Sequence, residues 1–182
     1  AKGAEPTGDT NFSGVFSFDT REVLTGKQIV SLGGVDSDTK AEVPMLKALH
    51  GNSVVTPLTT LYTTVYVSSG ETAATTLLTN LGVTSDDLKT DPVAALTNAS
   101  STAAASNALK LQALSQNVLV VVQAATKLAV GLGATDSAAS IAATAFSNVA
   151  NLSNTNLTKL TSTSATDAAS VMATVFTAVV SS

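Results

Sequence analysis

The residue of this chain best suited to acid–base or metal chemistry is its single histidine. His50 is followed by Gly51 and Asn52, in a stretch typical of a turn. A catalytic triad or a metal cluster would need this side chain to meet a nucleophile or further ligands in space. A lone histidine in a turn is most often a surface residue, so the sequence predicts a protein that is not an enzyme.

A second polar stretch could supply oxygen ligands to a cation. Asp36 and Asp38 stand two residues apart with Glu42 nearby, and carboxylate oxygens are the ligands that calcium prefers. The stretch lacks the glycine-containing acidic loop of a built calcium site. A solvated turn is therefore the favoured interpretation, with Asp36 and Asp38 kept as calcium candidates and no cofactor expected.

The composition favours a weakly charged surface rich in hydroxyl groups. Apolar residues make up 45% of the chain and charged residues only 12%, about half the usual share in soluble domains, while threonine, serine and alanine number 28, 21 and 29. The net charge of −4 gives little electrostatic support to contact with nucleic acid and little opposition to contact with like molecules. We expect no nucleic-acid partner.

Neither a membrane span nor a targeting segment is predicted. Cysteine is absent, which fits an exported bacterial protein as well as a cytosolic one. The longest apolar run, Val118 to Val122, is much shorter than a bilayer crossing, so no membrane insertion is expected. No basic segment followed by an apolar one opens the chain, and we interpret it as a mature, soluble protein.

His50 and the acidic residues belong to a short strand-rich segment predicted over residues 11–55. A flexible lead-in, residues 1–10, precedes it. Phe12, Phe16 and Phe18 fall on one face of a strand pattern, and Ile29 with Val30 forms a β-branched pair that ends at two glycines. The stretch AEVPMLKAL is compatible with another strand or a short helix. Two or three strands make a marginal sheet, which must pack on helices or be completed by another strand.

From residue 56 to residue 182 the hydrophobic period changes from 2 to 3.6 and predicts a helical bundle. Thr56 is placed to cap a helix whose first residue is Pro57. Later helices are expected over Glu71–Leu81, ending at Gly82, and after an Asp91 cap. The longest runs from about 103 to 130, with an inward stripe of Leu111, Leu114, Val118, Val121, Ala125 and Leu128.

Three shorter helices complete the prediction. One is capped by Asp136 or Ser137, one covers Asn154 to Leu160 as a short helix or turn, and a terminal one starts at Asp167. The terminal helix carries Val171, Val175 and Val179 and is apolar on more than one face because of Met172 and Phe176, which makes a contact between subunits plausible there. The predicted fold class is α+β: a short N-terminal β segment, resembling an incomplete sandwich, followed by a bundle of about five helices.

Part of the chain resembles a module of very large bacterial secreted adhesins and repeat-in-toxin-like surface proteins. The resemblance runs from about residue 33 to 96 and is carried by SVVTPLTTL, which matches a V-x-T-P-L-T-T-L element, and by the later NLGVTSDDLKTDPVAAL. In those proteins a small β-sandwich segment leads into that element and a helical part follows. The resemblance implies a secreted, extracellular or cell-surface location and a structural or adhesive role.

An incomplete sheet predicts self-assembly. If the strand from Asn11 to Asp19 pairs with the sheet of a neighbouring copy, each subunit completes the next and a filament results. The residues predicted to form the assembly contacts are Phe12, Phe16, Phe18, Val171, Val175 and Phe176. Two alternatives stay open: the strand folds back on its own helices, or the chain is a monomeric module that binds surface polysaccharide or another surface.

Overall fold

The structure is a computed structural model that describes residues 17, 27–35, 42–162 and 164–181. Within these ranges four short strands precede six α-helices and one 3₁₀ turn, Asp87–Lys89. The predicted α+β class is confirmed, with one helix more than expected because the segment after Ser153 is helical. The elements are β1 Gln28–Ser31, β2 Gly34–Val35, β3 Glu42–Val43, β4 Leu46–Leu49, α1 Pro57–Leu81, α2 Pro92–Thr97, α3 Thr102–Gly131, α4 Ala138–Ala150, α5 Asn154–Leu160 and α6 Ala165–Val180.

The strands form one long antiparallel hairpin rather than part of a sandwich. β1 pairs with β4, with Gln28 opposite Leu49, and β2 pairs with β3 in the same register. The two ladders are separated at Pro44, which has no N–H to donate, and at Gly33, whose φ is 95°. A Cβ at Gly33 would lie only 2.9 Å from the Val43 carbonyl oxygen. In the described part of the chain, helices take the place of a second sheet: β4 buries Leu46 and Ala48 against α1, and the Gln123 amide of α3 donates to the Glu42 carbonyl at 2.6 Å.

Helix α1 begins where the sequence predicts. Thr56 is its N-cap, Pro57 is its first residue, and the Thr56 hydroxyl accepts from the Thr59 N–H at 3.1 Å while the Thr59 hydroxyl accepts from the Thr56 N–H at 2.8 Å. This reciprocal pair is a capping box in which threonine takes the place usually held by Glu or Gln. The strand-to-helix switch is therefore fixed by side chains of the TPLTT stretch itself.

The two helices expected on either side of residue 70 form one helix with a sharp bend. Gly70 has φ 84° and ψ 176°, a backbone conformation almost restricted to glycine. Beyond it Ala74, Leu77 and Leu78 are all buried, and the helix stops at Gly82 in the left-handed conformation. We refer to the bend at Gly70 as the elbow of α1.

Helix α3 forms the centre of the bundle, against α2, α4 and α6. Its predicted stripe is buried from Leu111 to Ala125, but Leu128 is 48% exposed and Ala129 is buried in its place. A stripe with alternating steps of three and four follows a period of 3.5, so it drifts around a straight helix of period 3.6 and leaves the core after several turns. In α4, Ile141, Ala145 and Val149 are all buried.

Threonine hydroxyls on the helices bond mostly to their own backbone. The hydroxyl donates to the carbonyl four residues earlier, as Thr76 does to Thr72 at 2.9 Å and Thr79 to Thr75 at 3.0 Å. The same bond is made by Thr64, Thr97, Thr126, Thr174, Thr177 and Ser181. Because a hydroxyl has one donor and two acceptor lone pairs, each of these groups keeps only acceptor capacity toward solvent.

The 3₁₀ turn after α1 is organised around one carboxylate. Asp87 accepts from the Thr84 N–H at 2.8 Å, from the Thr84 hydroxyl at 2.7 Å and from the Asn107 amide of α3 at 2.9 Å. Partial burial acts to raise the pKa of Asp87, but the bonds from Thr84 and Asn107 and the nearby Lys110 ammonium outweigh it, so the pKa lies below its ordinary value.

Replacing Asp87 with asparagine is expected to lower the free energy of unfolding by about 1–2 kcal/mol at pH 7, because bonds to a charged acceptor are lost. The depressed pKa stabilises the folded state above the unfolded carboxyl pKa of about 3.9, and this contribution disappears as pH falls through the folded value. Urea unfolding from pH 7 to pH 2.5 checks this, with Asp136→Asn in the exposed loop after α3 as control. A difference between wild type and Asp87→Asn that does not shrink below about pH 4 would contradict the assignment.

Candidate functional site

The outer edge of β4 is closed by side chains of its own chain. The Lys47 N–H donates to the Thr60 hydroxyl at 2.9 Å, and the Lys47 carbonyl accepts from the Thr59 hydroxyl at 2.8 Å. Further along the strand, the Leu49 carbonyl accepts from the Asn52 amide at 2.9 Å. Since Thr59 and Thr60 are almost completely buried, these bonds anchor the hairpin to the start of α1.

Among the described residues, no strand or side chain pairs with the outer edge of β1. Lys47 faces Val30 in the ladder, and because the backbone groups of Lys47 point toward α1, those of Val30 must point away from β4. By the same alternation the backbone groups of Gln28 also point outward, and no hydrogen bond joins either residue on that side to another described residue. Gln28 is exposed, Val30 is 40% exposed, and Leu32 just beyond is 88% exposed.

An open edge next to exposed apolar side chains can accept a further strand. Its unpaired N–H and C=O groups form a template, and side chains on alternate positions give specificity. Gln28 and Val30 were not among the residues predicted to act in assembly. The signal that could have located this edge is the TPLTT stretch, because threonines that bond to one strand of a two-stranded ladder leave only the other strand open.

The predicted donor strand and the predicted calcium candidates lie outside the described residues. This applies to Phe12, Phe16 and Phe18, and equally to Asp36 and Asp38. Their assignments therefore stay predictions. Among the described residues no group of three or more His, Cys, Asp and Glu side chains is placed to hold a metal ion.

The predicted assembly contacts on α6 need a correction. Val171 and Val175 are 0% exposed and belong to the hydrophobic core shared with the other helices, so they offer no surface to another copy. Only Phe176 of the three predicted residues is partly exposed.

His50 lies in the turn that follows β4, and its side chain is exposed. Its backbone N–H donates to the Lys27 carbonyl at 2.9 Å, which extends the β1–β4 ladder by one pair. This position matches the surface location predicted for the residue. The interpretation that the protein is not an enzyme stays a prediction.

Two shallow depressions lie on the described helices. One follows a single face of the second half of α1 and is lined only by its exposed side chains, Glu71, Thr72, Thr75, Thr76 and Thr79. The other, of about 230 Å³, lies between α4, α5 and α6 and is lined by Asn148, Asn151, Leu152, Ser153, Asn156, Thr174, Val175 and Ala178. In the second, the buried amide nitrogen of Asn148 has no hydrogen-bond partner among the described residues.

One described helix, α3, is long and apolar enough to cross a membrane by length and composition, and 44% of its most apolar window is buried within the fold. The core helix of a soluble protein has the same properties, so this is weak support for a span.

Comparison with known proteins adds nothing to these observations. No family model, curated protein or solved structure matches this chain.

Proposed function

We propose that this chain is a non-enzymatic structural protein of a bacterial cell surface, a subunit of a filament, surface layer or adhesin, whose copies join by strand addition. The observation that carries the proposal is the open edge of β1 in a ladder whose other edge is closed by Thr59 and Thr60. A two-stranded ladder with one free side has room for one incoming strand.

The incoming strand is residues 11–19 of a second copy. Its three phenylalanines fall on one face in the sequence pattern, and the receiving edge offers the exposed apolar side chains of Val30 and Leu32. Each copy then donates one strand and receives one. Such head-to-tail contact does not close on itself, so it generates a filament unless the rotation between copies happens to form a ring.

An extracellular location is supported by composition and by the adhesin-like TPLTT stretch. With 12% charged residues, few like charges oppose the approach of copies, and hydroxyl groups keep the surface hydrated. Assembly through backbone bonds and apolar contacts of this kind should depend little on salt.

The proposal is tested by blocking the β1 edge without disturbing the ladder. The N–H of Val30 points away from β4, so proline at this position removes no internal bond but prevents an added strand from pairing. Val30→Lys is a second, gentler block, since lysine on an edge strand disfavours pairing. Val93→Lys on α2 is the matched control, because it makes the same change at another exposed valine.

Light scattering and negative-stain microscopy give the readout, and circular dichroism checks that each variant is folded. Wild type and Val93→Lys are expected to form filaments or large oligomers, whereas both Val30 variants and a chain lacking residues 1–20 are expected to be monomers. A wild type that stays monomeric at about 100 μM would contradict the proposal. In that case the β1 edge is covered by the chain's own residues 11–19 or accepts no strand at all. Filaments that persist in folded Val30→Pro would contradict it equally.

A further inference from the structure

The register of the β1–β4 ladder shows which side chains of β1 face the helices. Residues directly opposite each other in an antiparallel ladder point their side chains to the same face. Ile29 is opposite Ala48, which is 0% exposed. Ser31 is opposite Leu46, which is also buried. Ile29 and Ser31 therefore lie on the inner face of the ladder, toward the helices, whereas Val30 lies on the outer face.

The inner face is covered under β4 but not under β1. Helix α1 packs against β4, and none of the described helices packs against β1 to a similar extent. Ile29 is only partly buried, and unlike Val43 of β3 it does not pack against the hydrophobic core. A strand added at the β1 edge would therefore continue an uncovered apolar face by one more row of side chains.

The segment proposed as the incoming strand has a matching two-faced pattern. Phenylalanine stands at positions 12, 16 and 18 and glycine at 14, whereas the alternate positions 13, 15 and 17 carry Ser, Val and Ser. An antiparallel sheet with one face on a core is apolar on that face and more polar on the other. The outer face of the ladder already carries the polar side chains of Gln28 and Lys47. The alternation therefore places the phenylalanines on the inner face.

We propose that the inner face of β1, beside Ile29 and Ser31, determines the specificity of the edge and receives the phenylalanines of residues 11–19 of a second copy. This inference rests on the proposed function, because it takes the β1 edge as the place where copies join. It adds which face of the incoming strand is recognised and names Ile29 as the residue that recognises it.

The area of a phenylalanine side chain decides between the two faces. Each one can bury about 150–250 Å² when it is fully packed. On the inner face the rings pack on Ile29 and on the flank of the helical bundle. On the outer face they would meet only Val30 and Leu32, with no further layer to exclude water.

This orientation makes the edge selective for copies of the same chain. Backbone hydrogen bonds alone accept a strand of almost any sequence, and the side chains at alternate positions supply the specificity. A strand without large apolar residues at every second position would leave the inner face of β1 uncovered. The row of phenylalanines therefore distinguishes residues 11–19 from other extended segments.

Disulfide trapping between copies tests the face directly, because the chain contains no cysteine of its own. One preparation carries Ile29→Cys, a second carries Phe16→Cys or Phe18→Cys, and the two are mixed under mild oxidation. Residues opposite each other on one face have Cβ atoms about 4.5–5.5 Å apart, near the distance that a disulfide needs, whereas residues on opposite faces cannot be bridged. We expect Ile29→Cys to give at least about five times more heterodimer than Val30→Cys in the same mixtures, as measured by mass spectrometry.

The outer face supplies the matched control. Val30→Cys mixed with Val15→Cys or Ser17→Cys should form heterodimers, since these residues share the outer face in the proposed arrangement. Circular dichroism checks that each variant is folded, and negative-stain microscopy of the same mixtures without oxidant shows whether the copies assemble.

The outcomes separate this inference from the proposed function. Filaments in which Val30→Cys, and not Ile29→Cys, links to Phe18→Cys or Phe16→Cys would overturn the inference and leave the proposed function standing, as would filaments in which neither links. The absence of both filaments and heterodimers would overturn both proposals. Linkage found only within a single chain that carries Ile29→Cys and Phe18→Cys would also overturn both, because the strand then covers its own edge.

Discussion

Replacing Thr59 with valine is expected to lower the free energy of unfolding by about 2–4 kcal/mol, although the two side chains have nearly the same shape. The Thr59 hydroxyl accepts from the Thr56 N–H at 2.8 Å and donates to the Lys47 carbonyl at 2.8 Å. Valine leaves the first of these groups without a partner and the second with only the longer bond from Thr60, at 3.3 Å, in a part of the fold where Thr59 is 1% exposed. The cap of α1 and the anchor of the hairpin are lost together.

Urea unfolding at pH 7 measures this loss, and Thr76→Val is the control. Thr76 is exposed and its hydroxyl bonds only to its own helix, so removing it should change the free energy of unfolding by less than about 0.5 kcal/mol. Equal effects of the two substitutions would show that the joint between β4 and α1 is not held by Thr59. Loss of the hairpin signals by NMR before the helical ones unfold would identify the joint as the weak point.

Replacing Gly70 with alanine is expected to cost about 1–3 kcal/mol, because its backbone lies in a region that other residues almost never adopt. No atom lies within 4 Å of the position a Cβ would take, so the cost is conformational rather than steric. Relief of the strain would straighten α1 and remove Leu77 and Leu78 from the core. We therefore expect a less stable protein in which the two halves of α1 no longer pack on one core.

Gly131→Ala provides the matched comparison for Gly70→Ala. Gly131 also has open space for a Cβ but lies at the helical end of α3, where alanine should be neutral or stabilising by up to about 1 kcal/mol. Thermal unfolding measures stability, and the NMR chemical shifts of the Leu77 and Leu78 methyl groups report whether these residues stay in the core. Unchanged shifts and stability in Gly70→Ala would mean that the bend does not depend on glycine.

The local signals in the sequence predicted most of the helical part. Thr56, Asp91, Ser137 and Gly82 act through their own side chains or backbone conformations, so their positions as caps and stops follow from residue type. The elbow was not predicted, because a glycine between two helical patterns is equally compatible with a loop. The positive φ of Gly70 is set by the packing of both halves on one core.

The candidate sites were harder to predict than the fold. The β1 edge could be recognised only from the bonds that Thr59 and Thr60 make with Lys47, which lies twelve and thirteen residues away from them in the sequence. The assembly role predicted for Val171 and Val175 was wrong because an apolar stripe at helical spacing fits a core as well as a contact surface, and only their burial against neighbouring helices separates the two.

The threonine hydroxyls that donate to their own helices change how this protein meets its surroundings. A surface of free hydroxyls both gives and accepts hydrogen bonds, but these groups have no proton left to give. These threonines therefore present methyl groups and oxygen lone pairs to the solvent. Molecules rich in O–H or N–H groups should wet this surface well, whereas pure acceptors such as carbonyl or sulfate oxygens should find few partners on it. Although the chain has few charges, these threonine surfaces accept hydrogen bonds from solvent but donate none.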